Sequence, residues 1–187
     1  MRRACFIALA ILGAAPAAVA VEYAQVKPER SAITFVSRQM GVPVDGGVGR
    51  FSAQVAFDPA RADKARAQIE IDLASVDAGS VEANEELKGK HWFNVKETPK
   101  ASFASTAVRA LGGDRYELAG KLTIRGRTRD VTAPFSFRSE GGSGVFDGSF
   151  VLKRLDYGIG GGLWSDVGTV ADEVQVRFRI VAVPAGK

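Results

Sequence analysis

Few side chains in this chain could do chemistry, and no spacing gathers them into a constellation. His91 is the only histidine, and it follows Glu82, Glu85 and Glu86. Glu82 and Glu86 fall one turn apart on a helix, but three carboxylates and one imidazole are not a metal-specific set. A solvated helix face accounts for the same acids, so no metal ligand is assigned. A His-dependent serine hydrolase would have to use His91, and the chain has no G-x-S-x-G elbow. Tyr116, Tyr157 and Asp156 complete the acid–base donors, and nothing in their spacing joins them to His91. No catalytic residue is assigned, and an enzyme is not expected. The glycine run Gly158-Ile159-Gly160-Gly161-Gly162 leads into Leu163-Trp164-Ser165-Asp166 rather than into the Lys-Ser/Thr of a phosphate loop. It reads as a mobile loop with Trp164 as an apolar plug. Arg38, Arg125, Arg154 and Asp156 lie at or near strand ends. Arg38 and Arg154 are candidates to contact the polar head of an amphipathic ligand. Asp156 reads as a structural ion-pair partner of Arg154.

The elements that must position these residues are strands. Glu173-Val174-Gln175-Val176-Arg177-Phe178-Arg179-Ile180 alternates charged or polar with apolar residues, which places Val176 and Phe178 on one face. The pattern recurs in seven further segments. Ser31–Arg38 carries Ile33 and Phe35, and Val48–Phe57 carries Phe51, Val55 and Phe57. Ala67–Leu73 carries Ile69 and Ile71, Ala101–Ala110 carries Phe103, and Arg115–Ile124 carries Leu118. Asp130–Arg138 carries Phe135 and Phe137, and Val145–Arg154 carries Phe150 and Leu152. Asp45-Gly46-Gly47, Asp58-Pro59, Gly112-Gly113-Asp114, Gly126 and Gly141-Gly142-Ser143-Gly144 read as the turns between them. Ser80–Gly89 interrupts the rhythm as a short helix, with Ser80 as its cap and Gly89 as its stop.

Eight antiparallel strands with one apolar face leave two open edges unless they close into a barrel. The polar faces carry Glu70, Asp72, Glu117, Lys121, Arg177 and Arg179. At the bilayer midplane an Arg or Lys costs about 2–4 kcal/mol and an acid somewhat less, so the polar faces turn outward to water and the apolar faces inward. The expected fold is all-β, an extended lipocalin-like, eight-stranded, antiparallel up-and-down barrel with one short helical insertion around Ser80–Gly89. The apolar residues named above, with Trp164, are the candidate lumen lining. Periodicity alone does not separate an open lumen from a core filled by its own phenylalanines.

Residues 1–20 read as a signal peptide, with Arg2-Arg3, an apolar run from Phe6 to Leu12, and Ala18-Val19-Ala20 before the expected cut. Removing 20 of 187 residues leaves 167, expected to form a single domain over 21–187, exported to the periplasm. The only cysteine, Cys5, leaves with the signal, so burial alone must hold the domain together. Against 21 acids, 25 Lys and Arg less the two in the signal leave a nearly even balance. With no basic run, nucleic acid is not an expected partner.

Several motifs, in order, resemble the YceI family of bacterial periplasmic proteins. They are Ser31-Ala32-Ile33-Thr34-Phe35, Gly49-Arg50-Phe51, Phe57-Asp58-Pro59, Ser75-Val76-Asp77-Ala78-Gly79, Trp92-Phe93-Asn94-Val95, Pro99 with Phe103-Ala104-Ser105, Gly120-Lys121-Leu122-Thr123-Ile124-Arg125-Gly126-Arg127-Thr128, Arg154-Leu155-Asp156-Tyr157-Gly158-Ile159 and Val167-Gly168. The resemblance implies a lipocalin-like barrel that holds a long isoprenoid lipid in its pore. It also implies a role in handling isoprenoid lipids or quinones, with no covalent cofactor. Some family members occur beside or fused to cytochrome b561-type membrane proteins. Transient contact with a membrane or with such a cytochrome is therefore an expected partnership, and a homodimer is open. The family's frequent basic residue followed by His near the end of the first strand is Arg38-Gln39 here.

The leading expectation is a carrier for an isoprenoid lipid or quinone. An enzyme acting on such a lipid and a ligand-free accessory subunit of a b-type cytochrome are the alternatives.

Overall fold

A computed structural model describes residues 21–186. Residues 1–20, expected to be a signal peptide, with Cys5 and the expected cut after Ala20, lie outside the described residues. The strands are β1 (Tyr23–Val26), β2 (Ala32–Gln39), β3 (Val42–Val48), β4 (Phe51–Ala56), β5 (Arg66–Asp72), β6 (Val76–Asp77), β7 (Lys100–Gly112), β8 (Arg115–Ile124), β9 (Arg127–Glu140), β10 (Ser143–Lys153) and β11 (Glu173–Pro184). One helix, α1 (Val81–Lys88), lies between β6 and β7.

The strands form one antiparallel sheet in the order β4-β5-β7-β8-β9-β10-β11-β2-β3-β6, with β1 paired to β11. The two ends of that order meet. Only Gly49 and Arg50 separate β3 from β4, so the two form one bent strand that pairs with β2 on one side and β5 on the other. At the bend the Gly49 amide donates to the Ser75 carbonyl (2.8 Å) and the Asp72 amide to the Arg50 carbonyl (3.1 Å). Beyond the bend, β6 resumes the pairing at Gly47–Asp77 and Val48–Val76. Together these contacts close the sheet into a lipocalin-like barrel.

All eight expected strands are present with shifted ends, and three more accompany them. β1 and β6 are too short to show a period. β3 was hidden because Asp45-Gly46-Gly47 reads as a turn. The turn is instead at Met40-Gly41, where both residues have positive φ (48° and 80°), as the twist of a tight hairpin requires. Gly46 is in a strand because the ring of Phe35 on β2 occupies the place where its Cβ would stand. The glycine makes room for an inward aromatic ring on the neighbouring strand.

The outer wall carries cross-strand ion pairs: Arg50–Asp72 (2.7 Å), Lys100–Glu70 (2.6 Å), Arg109–Glu117 (2.6 Å) and Lys121–Asp130 (2.8 Å). Exposed pairs contribute about 0–1 kcal/mol each, so their value is in showing which face meets water. The inward face divides into two clusters. At one end Phe57, which is 2 % exposed, is the hub of an aromatic knot. Its ring centroid lies 4.9 Å from Phe137, 5.1 Å from Phe146 and 5.2 Å from Tyr116. At the other end the cluster is mainly aliphatic, with Leu73, Val76, Leu122, Ile124 and Ile159.

Candidate functional site: a two-chambered lumen

The aliphatic half of the barrel is hollow. An outer chamber of about 640 Å³ lies beneath α1 and the 162–165 loop. It adjoins an inner chamber of about 120 Å³ that reaches to Phe57, Phe135 and Phe146 of the aromatic knot. Ile33, Ile71, Leu122, Phe150 and Val176 border both chambers and form the neck between them. The combined space falls within the ~300–1,000 Å³ usual for ligand sites, and its walls are overwhelmingly apolar.

Strand alternation explains the lining. In β2, Ile33 and Phe35 point inward and meet Phe178 and Val176 of β11 in register. In β5, Ile69 pairs with Phe103 of β7, and Phe103 with Leu122 of β8. Ile33, Phe35, Ile71, Phe150, Leu152, Trp164 and Val176 line the outer chamber. Val55, Phe57, Ile69, Phe103, Leu118, Phe135 and Phe178 line the inner one. Phe51 and Phe137 border neither chamber. Phe137 is part of the aromatic knot, and Phe51 packs against it.

Neither of the two arginines expected to contact a head group offers a free donor to the chamber. Arg38 is on the opposite parity of β2 from Phe35, so it points outward, where its guanidinium donates to the Gly41 carbonyl (3.3 Å). Arg154 borders the outer chamber but is 1 % exposed, and every N–H it owns is spent. Nε donates to the Ala171 carbonyl, Nη1 to those of Ile159 and Gly160, and Nη2 to those of Trp164 and Val170, at 2.7–3.0 Å. Burial pulls its pKa down from the ordinary guanidinium value, and the charge of Asp172 partly offsets this. Asp156 is exposed and makes no ion pair with it. Asp172 is the acid beside it, and accepts from the Leu155 amide.

Arg154 also explains the glycine run. A Cβ on Gly160 would overlap its Nη1, and the φ of +75° at Gly160 suits glycine. The loop expected to be a free lid is thus wrapped on a buried cation. Trp164 remains at the mouth, with its ring 5.5 Å from Trp92 and its Nε1 donating to Glu86 of α1 (2.9 Å). The Trp92 indole N–H is the only buried side-chain nitrogen or oxygen without a partner among the described residues. The Arg154 guanidinium stands 5.9 Å from the centroid of the Trp92 ring.

The sequence reading missed part of the wall. Leu122 and Ile124 share the inward parity of Leu118 on β8 and line the outer chamber. Val44 was hidden with β3, and Val48, the first residue of the expected Val48–Phe57 strand, belongs to the end of β3 instead. Ala83, Glu86 and Leu87 form one stripe of α1 over the chamber, and Asn84 anchors that helix through Asp77 (2.9 Å). The acid–base donors are not brought together. Tyr116 is in the aromatic knot, Tyr157 in the aliphatic cluster, and Asp156 and His91 are exposed.

A closed barrel with an apolar lumen, capped by a helix and a pinned loop, is the architecture of lipocalin-like binding proteins. The YceI-like domain model matches residues 25–182, and the chain belongs to that family. A UPF0312 protein of Azotobacter vinelandii is 27 % identical over 181 residues, covering 93 % of this chain and 92 % of that protein. The crystal structure of BcnA from Burkholderia cenocepacia is 43 % identical with a TM-score of 0.83, covering 85 % of this chain and all of that one. A polyisoprenoid-binding domain from Saccharophagus degradans, implicated in plant cell wall breakdown, shares the fold. Its TM-score is 0.67 at 16 % identity, over 89 % of this chain and all of that one.

Proposed function

We propose that this protein is a periplasmic carrier or reservoir for a long isoprenoid lipid or isoprenoid quinone, held tail-inward in the lumen. The two-chambered apolar cavity carries this reading. Burying a methylene is worth about 0.8 kcal/mol, so roughly ten buried carbons match the ~8 kcal/mol of a micromolar complex before ordering costs. The polyisoprenoid-binding domain of Saccharophagus degradans, alike in fold, supports the same class of guest. Export after cleavage at Ala20 would place the carrier where lipid must cross water between membranes.

The mouth suits loading from a bilayer. Met40, Val42, Val81, Leu163 and Val167 are exposed there, and Leu163 is 96 % exposed. Val81 lies between the lining residues Ser80 and Glu82, Leu163 precedes Trp164, and Met40 follows Gln39. This apolar rim would meet a membrane transiently while the guest slides in. No catalytic step is proposed, because the acid–base side chains are scattered through the fold. A ligand-free accessory role calls for a filled interior, which the lumen does not match.

Native mass spectrometry tests the reading on protein isolated from its own cells without detergent. The expected result is a bound species with the mass of an isoprenoid. Repeated absence of any adduct, together with failure to take up added polyprenols or quinones, would contradict it.

A further inference from the structure

An isoprenoid guest can end in a phosphate, an alcohol or a quinone ring, and these heads demand different partners. A prenyl monophosphate carries about −1.5 to −2 charges at neutral pH and needs cations or converging amide donors. The outer chamber supplies no free cation. Its one lining cation is Arg154, whose five N–H groups all end on backbone carbonyls. Arg38 faces outward. The acids Glu82 and Glu86 line the mouth instead. Along the inward parity of β2, beyond Ile33 and Phe35, come Ser37 and Gln39, which also line the outer chamber. Neither side chain makes a hydrogen bond among the described residues, so a hydroxyl and a carboxamide stand free at the mouth. The inner chamber's only cation, Arg66, is exposed, with Nη1 on the carbonyls of Lys64 and Ala65.

Resting on the carrier reading, we infer that this chain selects guests with an uncharged oxygen-bearing head, an isoprenoid quinone or alcohol, and rejects the corresponding phosphates. The tail fills the lumen, Ser37 and Gln39 hydrogen-bond the head oxygen, and Glu82 with Glu86 repel an anion.

The test uses four probes of one chain length and tryptophan fluorescence, since Trp92 and Trp164 flank the mouth. The probes are an all-trans polyprenol, its monophosphate, a quinone with the same tail, and the bare hydrocarbon. The alcohol and quinone are expected to bind roughly tenfold or more tightly than the phosphate, because a charge taken from water without a partner is costly. Gln39→Leu with Ser37→Ala should weaken alcohol and quinone several-fold while leaving the hydrocarbon unchanged. Glu82→Gln with Glu86→Gln should narrow the gap to the phosphate. A phosphate that binds as well as the alcohol overturns the head-group inference and leaves the carrier reading standing. Failure of all four probes removes the carrier reading, and the inference with it.

Discussion

The two ends of this barrel obey one sequence rule and reach opposite outcomes. At one end the inward positions hold Phe57, Tyr116, Phe135, Phe137 and Phe146, whose rings pack on one another and leave only the inner chamber of about 120 Å³ beside them. At the other, aliphatic residues such as Val48, Ile71, Leu73, Leu122 and Ile124 predominate, with Phe35, Trp92 and Phe150 spaced around them, and about 640 Å³ stays open. Alternation sets which side of a strand faces inward. Side-chain volume decides whether that inside is core or lumen. The filled end supplies the burial that a chain without a disulfide needs, and this frees the hollow end to remain hollow.

Breaking the filled end should have the largest effect. Phe57→Ala removes the hub of the knot and is expected to cost about 3–5 kcal/mol in denaturant unfolding. The hub role would be wrong if the loss were under about 1 kcal/mol, the size of a single deleted methylene. Arg154 is the counterpart at the hollow end. Arg154→Met strips five carbonyls of their donor, and because the loop can loosen and hydrate, about 1–3 kcal/mol should be lost. Faster amide exchange should appear in 158–171, not in the aromatic knot. Uniformly faster exchange would show that the loop and the knot unfold as one unit.

Filling the lumen sharpens the contrast further. Leu122→Trp at the neck should cost no more than the about 1–3 kcal/mol of an enlarged core side chain, since the added ring has empty space to enter, while long-chain isoprenoid binding falls steeply. Comparable loss of short- and long-chain guests would argue that the inner chamber is not used. The smallest effect concerns acid. Asp77 is held below the usual carboxylate range by Asn84 and the Gly79 amide, and Asp166 by Thr169 and the Gly168 amide. A lowered folded-state pKa stabilises fully above the unfolded value, near 3.9, and is lost as pH falls through the folded value. Asp58 and Asp72 are lowered in the same way at their own turns, so acid should loosen α1 and the 162–170 loop along with those turns, with Trp164 fluorescence changing before global unfolding. Simultaneous loss of both signals would contradict this.

Much of the fold was legible in the alternation of β2, β5, β8 and β11, because a charged outer wall admits one orientation only. The same parity places Arg38 outside, opposite Phe35 and Ser37. What was not legible depends on a residue's neighbours across space. Gly46 looks like a turn until the ring of Phe35 is seen above it. The run from Gly158 to Gly162 looks like a free lid until Arg154 is seen inside it. Hollow and filled halves give the same period-two pattern, so the lumen itself appears only when volumes are summed over facing strands.

The central claim is that the hollow end is occupied along its length by an isoprenoid chain. The direct measurement is a crystal structure of protein isolated from its native cells without detergent. The account predicts continuous elongated density from Ser37 and Gln39 at the mouth, past Ile71 and Phe150 at the neck, and ending against Phe57. Collapse of the neck onto itself, with Ile33, Ile71 and Leu122 in contact and no room for a guest, would contradict it.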